Sequence, residues 1–254
     1  MKSVKNKISL RSILAMRHGP IAIEPIEYYE QQASCQIPFL GSLYELFLGE
    51  KDNGIFVEIG ANDGLSCSNT WGLAVRGWTG YLVEAIPEFA IVCAKNHSAH
   101  SNVSIHQLAI GDVDGDEVTF NLGGQLTTAN QRLKDEYQNV DWAKSIISSS
   151  QVKLKTQKLD TFLVNQQIQP GLDVLVVDVE GFETQVFSGF SLTKWRPKML
   201  IIELTDTHPH LRTNSKSDAL LGQRIISMGY VIVYKDCINT VFVRRDKWES
   251  AFEA

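Results

Sequence analysis

What the sequence lacks narrows it first. No run approaches the ~18 uninterrupted apolar residues of a membrane-spanning helix, so no transmembrane segment is expected. There are only four cysteines, Cys35, Cys67, Cys93 and Cys237, and no two form a C-x-x-C pair. That removes the usual spacing of a structural zinc site. Scattered thiols in a chain of 254 residues also argue against a disulfide framework. The N-terminus is basic (Lys2, Lys5, Lys7, Arg11, Arg17), but its apolar run, Ile13 to Met16, is too short for a secretory leader. A frayed terminus, or one touching a membrane surface, is the expectation there. A basic surplus is missing too: 24 Lys and Arg against 29 Asp and Glu give a net charge of -5. Nucleic-acid binders gather cations on one face, so no nucleic-acid partner is expected. Nor is there an N/D-P-P-Y/F motif for amino methylation, an internal repeat or a low-complexity tract. What remains is a reduced, cytoplasmic globular protein, long enough for one α/β core and compatible with a homo-oligomer.

The order of elements is informative. Residues 1–50 read as a helical extension, with Phe39, Leu40, Leu43, Leu46 and Phe47 at helical spacing. Residues 51–254 read as the main domain. Ile55 to Ile59 is a short β-rich run that ends in Gly60-Ala61-Asn62-Asp63-Gly64, with a helix expected from there to about Arg76. Tyr81 to Val83 is the next strand, residues 87–96 the next helix with Pro87 in its first turn, and Val103 to Leu108 a third strand. This alternation predicts a parallel sheet with right-handed crossovers. Glu117 to Leu122 and Val152 to Leu159 are strand-like. Residues 123–150 show no period beyond a short helix near Leu133 to Tyr137, which suggests a lid or acceptor-binding loop. Val174 to Val177 and Met199 to Leu204 are apolar throughout, the pattern of strands buried on both faces. After a helix from about Ser217 to Met228, Tyr230 to Tyr234 and Thr240 to Val243 form an antiparallel hairpin. A mostly parallel sheet finished by such a hairpin resembles the Rossmann-like class I methyltransferase fold.

The run Glu58 to Gly64 is the best single signal for a ligand. Glycines let the chain turn tightly and let a ligand approach the backbone. Glu84 ends the following strand, twenty residues after Gly64. A carboxylate there can accept bonds from both hydroxyls of a ribose. Taken singly, Gly60 and Gly64 read equally well as turn residues, Asp63 as a cap and Glu84 as a surface charge. In this order on these elements they point to a nucleoside-bearing cofactor. Carboxylates at Glu58 and Asp63 are poor neighbours for a pyrophosphate and good ones for a sulfonium and an ammonium. S-adenosylmethionine therefore fits better than NAD.

Beyond that loop, Ser68-Asn69-Thr70, Gly77-Trp78-Thr79-Gly80, Leu108 to Asp112, Leu159 to Phe162 and Asp178-Val179-Glu180-Gly181-Phe182-Glu183 occur in order. With these motifs, from about residue 35 to 245, the sequence resembles the FkbM-type methyltransferases. The resemblance implies a class I fold, S-adenosylmethionine as donor, and a hydroxyl acceptor on a sugar, glycan or natural product. It extends the expected cofactor contacts to Glu58, Gly60, Ala61, Asn62, Asp63, Gly64, Ser68, Glu84, Ala85, Ala109 and Asp178.

Ligands of open α/β sheets lie beyond the carboxyl ends of the strands, which gathers these residues with Glu203 to His210. Methyl transfer to a hydroxyl needs a group to take its proton. Asp178 and Glu180 are two apart at a strand end. One reading has Asp178 hold the methionine part of the cofactor, another makes Glu180 the base, and a third has both bind a divalent metal such as magnesium. No other metal site is expected. His208, with a side chain that titrates near neutrality, is the first candidate base, and Glu203, a carboxylate raised by burial, its competitor. Glu183 reads as a helix cap. Tyr137 and Trp142 are candidates for stacking on a sugar face, while Trp71, Trp78 and Trp195 read as anchors of the core or of turns. The alternative functions are an NAD-dependent oxidoreductase or epimerase, a non-catalytic partner that keeps the fold, and a nucleic-acid methyltransferase.

Overall fold

A computed structural model of the chain describes Tyr29 and residues 35–252. The basic start and most of the expected helical extension lie outside the described residues. The first described helix, α1 (Leu40–Leu48), follows Phe39 in the left-handed region and ends at Gly49. It buries Leu40, Leu43, Tyr44, Leu46 and Phe47 on one side.

The chain then alternates through β1 (Ile55–Ile59), α2 (Trp71–Val75), β2 (Thr79–Glu84), α3 (Pro87–Asn96) and β3 (Val103–Gln107). Helix α2 is much shorter than the sequence suggests, because side chains capture the backbone before it. Asp63 Oδ1 accepts the N–H groups of Leu65 and Ser66, and Ser68 Oγ those of Thr70 and Trp71. Such local bonds offer the backbone an alternative to the helical ladder. Next come β4 (Ala109–Gly111), β5 (Glu117–Asn121), α4 (Gln131–Tyr137), β6 (Gln151–Lys158), α5 (Leu159–Asn165), β7 (Val174–Val177), α6 (Glu183–Ser188), α7 (Leu192–Trp195) and β8 (Met199–Glu203). Helix α8 (Ser215–Ser227) leads to the hairpin β9 (Tyr230–Lys235) and β10 (Asn239–Arg244), and α9 (Arg245–Ser250) closes the order.

Seven strands form one sheet in the order β3-β2-β1-β7-β8-β10-β9. The first five are parallel and the hairpin is antiparallel, as the class I methyltransferase resemblance implies. Both faces are covered. Val57, Ile59, Leu175, Val177, Leu200 and Ile202 point into a core shared with Phe162, Phe187 and Trp195. Phe56, Val174, Val176, Met199 and Ile201 point to the other side, against Tyr44, Phe47 and Trp78. This strict alternation explains why β7 and β8 read as unbroken apolar runs.

Two features were not legible in the sequence. Strands β4, β6 and β5 make a separate three-stranded sheet. Residues 123–150 pack around a small core of their own, Leu126, Leu133, Tyr137 and Ala143 with Leu211. Asn130 caps α4 with its side-chain oxygen, and its amide donates to Asn214 Oδ1 at 2.9 Å. That ties the segment across the ends of the strands. No helix among the described residues is long and apolar enough to cross a membrane.

Candidate active site

The carboxyl ends of β1, β2, β7 and β8 open into a cleft of about 290 Å³. Its floor begins at Gly60. The N–H groups of Gly60 and Ala61 both donate to Val83 O, at 2.9 and 3.1 Å. Gly60 has φ +86°, and a Cβ there would lie 1.6 Å from the carbonyl oxygen of Asp178. Only glycine lets the first loop lie this close to the end of β7.

Glu84 fastens the same loop. Its Oε2 accepts the N–H of Asn62 at 2.8 Å and its Oε1 that of Ile86 at 2.7 Å. Each oxygen keeps a lone pair for a ligand hydroxyl. Burial raises the Glu84 pKa, opposed by those backbone donors. Glu58 is buried under the loop and accepts the Thr70 hydroxyl at 2.6 Å. Burial pushes its carboxyl up to about 7. Gly60, Ala61, Asn62, Ser68, Ala85 and Asp178 line the cleft with Glu58 and Glu84.

Three residues of the expected cofactor set are not among the lining residues. The carboxylate of Asp63 is occupied within its own turn by the Leu65 and Ser66 N–H groups and the Ser66 hydroxyl. Gly64 faces the Cys93 sulfur and the His97 ring, and its carbonyl accepts from His97 Nε2 at 2.8 Å. Ala109 is buried, while its neighbours Leu108 and Ile110 reach the cleft. The electrostatic case drawn from Asp63 therefore passes to Glu58, Glu84 and Asp178. His97, which no motif singled out, positions the loop from below.

At the far end three carboxylates converge. In the parallel register Val177 lies opposite Ile202, so the next residues, Asp178 and Glu203, are neighbours. Glu180 reaches them from a left-handed turn (φ 51°) whose carbonyl accepts the Thr128 hydroxyl at 2.6 Å. Oxygen atoms of Asp178, Glu180 and Glu203 all lie within 4.8 Å of one another. Tyr137 Oη donates a short hydrogen bond to Glu180 Oε2. Burial first, then mutual repulsion, holds Glu180 and Glu203 well above the usual carboxylate range. Burial also raises Asp178, which a hydrogen bond with Glu203 partly offsets. The other Glu203 oxygen, Oε2, is buried and has no hydrogen-bond donor among the described residues. Glu183 stands apart: its Oε1 accepts the N–H groups of Val179 and Gly181, both at 3.1 Å, and braces the turn ahead of α6.

His208 lines the cleft but is a poor base. Its Nδ1 accepts the N–H groups of His210 and Leu211, at 3.1 and 2.9 Å. The neutral ring must then carry its proton on Nε2, where it can only donate. Tyr137 differs from its expected stacking role as well: it is buried, and its hydroxyl serves Glu180. Trp142 is 52% exposed and lines the cleft. Trp78 and Trp195 are core residues. No Lys or Arg lines this cleft among the described residues.

A model of the methyltransferase FkbM domain matches residues 58–231. The chain is similar to the 2-O-methyltransferase NoeI of Sinorhizobium fredii, 23% identical over 168 residues, which are 62% of this chain and 65% of that protein. It thus spans slightly less than two thirds of that relative. Among solved structures, it is similar to an O-methyltransferase from Bacillus cereus in complex with SAH (13% identity, 84% of each chain, TM-score 0.45). A second is Aeropyrum pernix fibrillarin with natively bound S-adenosyl-L-methionine (10% identity, 75% of this chain and 66% of that one, TM-score 0.39).

Proposed function

The chain belongs to the FkbM methyltransferase family, and from that premise we propose that it is an S-adenosylmethionine-dependent O-methyltransferase acting on a hydroxyl of a sugar, glycan or other small-molecule acceptor. One observation carries the reading: among the described residues, Glu58, Glu84, Asp178, Glu180 and Glu203 line the cleft and no Lys or Arg does. Such a cleft offers a phosphate no cation, and offers acceptor oxygens to a ligand with positive charge on sulfur and nitrogen. Glu84 would hold the ribose hydroxyls, the backbone of Gly60 to Asn62 the nucleoside, and Glu58 and Asp178 the ammonium end. When bound, the cofactor supplies a methyl group activated by its sulfonium.

The residues of the chain must then hold an acceptor oxygen in line with that methyl and remove its proton. The Asp178–Glu180–Glu203 cluster is the group suited to this. Carboxyls raised by burial are stronger bases than exposed ones. His208 Nε2–H can donate to an acceptor oxygen beside them. Trp142, Leu126 and Leu211 offer an apolar wall for a sugar face. That a relative is named a 2-O-methyltransferase supports oxygen as the acceptor atom.

The test is calorimetric titration of the purified chain with S-adenosylmethionine and, separately, with NAD. Saturable binding of the first alone is expected. Binding of NAD in its place overturns the reading, because the pyrophosphate would need a cation that the described lining lacks.

A further inference from the structure

We propose that His97 and His100 form a proton-sensitive brace under the loop Gly60 to Gly64, and that full protonation of the pair lowers the affinity for S-adenosylmethionine. The inference rests on the methyltransferase reading and adds to it a control of that site. Neither ring lines the cleft, so both act through the loop.

The loop is seated on the last turn of α3. The Asn96 amide donates to the Asp63 carbonyl at 2.8 Å, and His97, 4% exposed, places Nε2 2.8 Å from the Gly64 carbonyl. Gly64 N–H donates in turn to Ala61 O at 2.8 Å, and Ala61 lines the cleft. The seat has no slack. Gly64 has φ +69°, and a Cβ on it would lie 2.6 Å from Cys93 Sγ and 2.8 Å from His97 Cδ2. The Trp71 ring lies against both histidines, with centroids at 5.0 and 4.9 Å. Trp71 N–H also donates to Ser68 Oγ, and Ser68 lines the cleft.

The partners assign the tautomers. A carbonyl only accepts, so His97 Nε2 carries the hydrogen and Nδ1 the lone pair. His100 Nδ1, 3.0 Å from that lone pair, must donate to it. One further proton is accommodated. It makes an imidazolium of His100 or, after transfer along the bond, of His97; either way one Nδ1 keeps a hydrogen and the other a lone pair. A second proton leaves two N–H groups and two positive charges facing each other at this distance, and the His97 ring must turn away. Among the described residues, the titratable groups facing His97 are His100, the Cys93 thiol and the Asp63 carboxylate. Burial pushes Cys93 up to about 12, so it stays neutral. Asp63 attracts a proton to His97, but burial first, and then His100, hold the ring below its ordinary range. The second charge therefore arrives only in acid.

The test titrates the full chain with S-adenosylmethionine by calorimetry from about pH 8 to about pH 5, across the ordinary range of histidine. His97→Phe removes the donor to Gly64 and should weaken binding about 10-fold or more at neutral pH. His97→Gln, whose amide still donates there, should restore most of it. His100→Ala removes the opposing charge, so wild-type affinity should fall about 3-fold or more relative to this variant between about pH 6.5 and about pH 5. Glu58 and Glu84 titrate in both proteins and cancel in that ratio. Wild-type affinity in His97→Phe overturns the inference, and so does a ratio that ignores pH. Should His97→Phe not fold, the ratio of wild type to His100→Ala decides. Amide hydrogen exchange at Gly64 is measured on the same proteins. If the wild type binds no S-adenosylmethionine but exchanges Gly64 faster than His100→Ala at about pH 5, the brace stands and the methyltransferase reading falls. Without that difference in exchange, both fall.

Discussion

Replacing Glu84 with alanine separates the ligand role of that carboxylate from its structural one. The side chain is 7% exposed and accepts two backbone N–H groups, from Asn62 and Ile86. Hydrogen bonds to a charged group contribute about 1.5–3 kcal/mol each. Two bonds to ribose hydroxyls at the lower figure give about 3 kcal/mol, or roughly a 100-fold weaker complex. The folded protein also loses the two backbone bonds. Burying the carboxylate carries a cost of its own, which its raised pKa records, so the net loss of stability should be smaller, about 1–2 kcal/mol. For a chain of this size that lowers Tm by about 2–8 °C. The assay is calorimetry with S-adenosylmethionine, paired with melting curves in its presence and absence. Saturating cofactor, at about 100 times Kd, stabilises the wild type by about 2.7 kcal/mol, and the variant should lose most of that shift at the same concentration. A variant that melts within this range yet keeps wild-type affinity refutes the placement of the ribose at Glu84.

Glu58→Gln should show a pH-dependent gain. The folded pKa of Glu58, about 7, lies above the ordinary value, so its stabilising contribution is complete below about pH 4.3 and lost as pH rises through 7. The variant should match the wild type at pH 4 and exceed it above pH 7 by up to about 3 kcal/mol; a difference in Tm that ignores pH would contradict the assignment. Gly60→Ala should be severely destabilised, by more than about 3 kcal/mol, because its Cβ would meet the Asp178 carbonyl at 1.6 Å in a left-handed conformation. Wild-type melting of that variant would disprove the close packing of loop and strand. Trp142→Ala should change Tm and cofactor affinity little, since the side chain is 52% exposed, while raising KM for the acceptor. An unchanged KM would remove Trp142 from the acceptor wall.

Local pattern was enough for much of the molecule. The apolar runs at Val174 to Val177 and Met199 to Leu204, the alternation of strand and helix before them, and the C-terminal hairpin each depend on neighbours a few residues away, so their periods are written in the chain. The glycine-bearing loop and the carboxylate at the end of the next strand belong to the same class: both follow from where a strand stops. Tertiary structure decided the rest. By sequence Asp63 reads equally as a ligand or a cap, and in the fold its own turn takes both carboxylate oxygens. His208 has the residue type of a base, but the fold puts two backbone N–H groups on its Nδ1. Glu203 lies twenty-three residues beyond Glu180, yet parallel pairing of β7 with β8 sets it beside Asp178. Tyr137 joins them from the end of the short helix α4, whose place over the cleft no local pattern gives. Side-chain type and local period fix what each element is. Which side chains share a buried, low-dielectric cleft depends on strand register and crossovers, which join residues far apart in sequence.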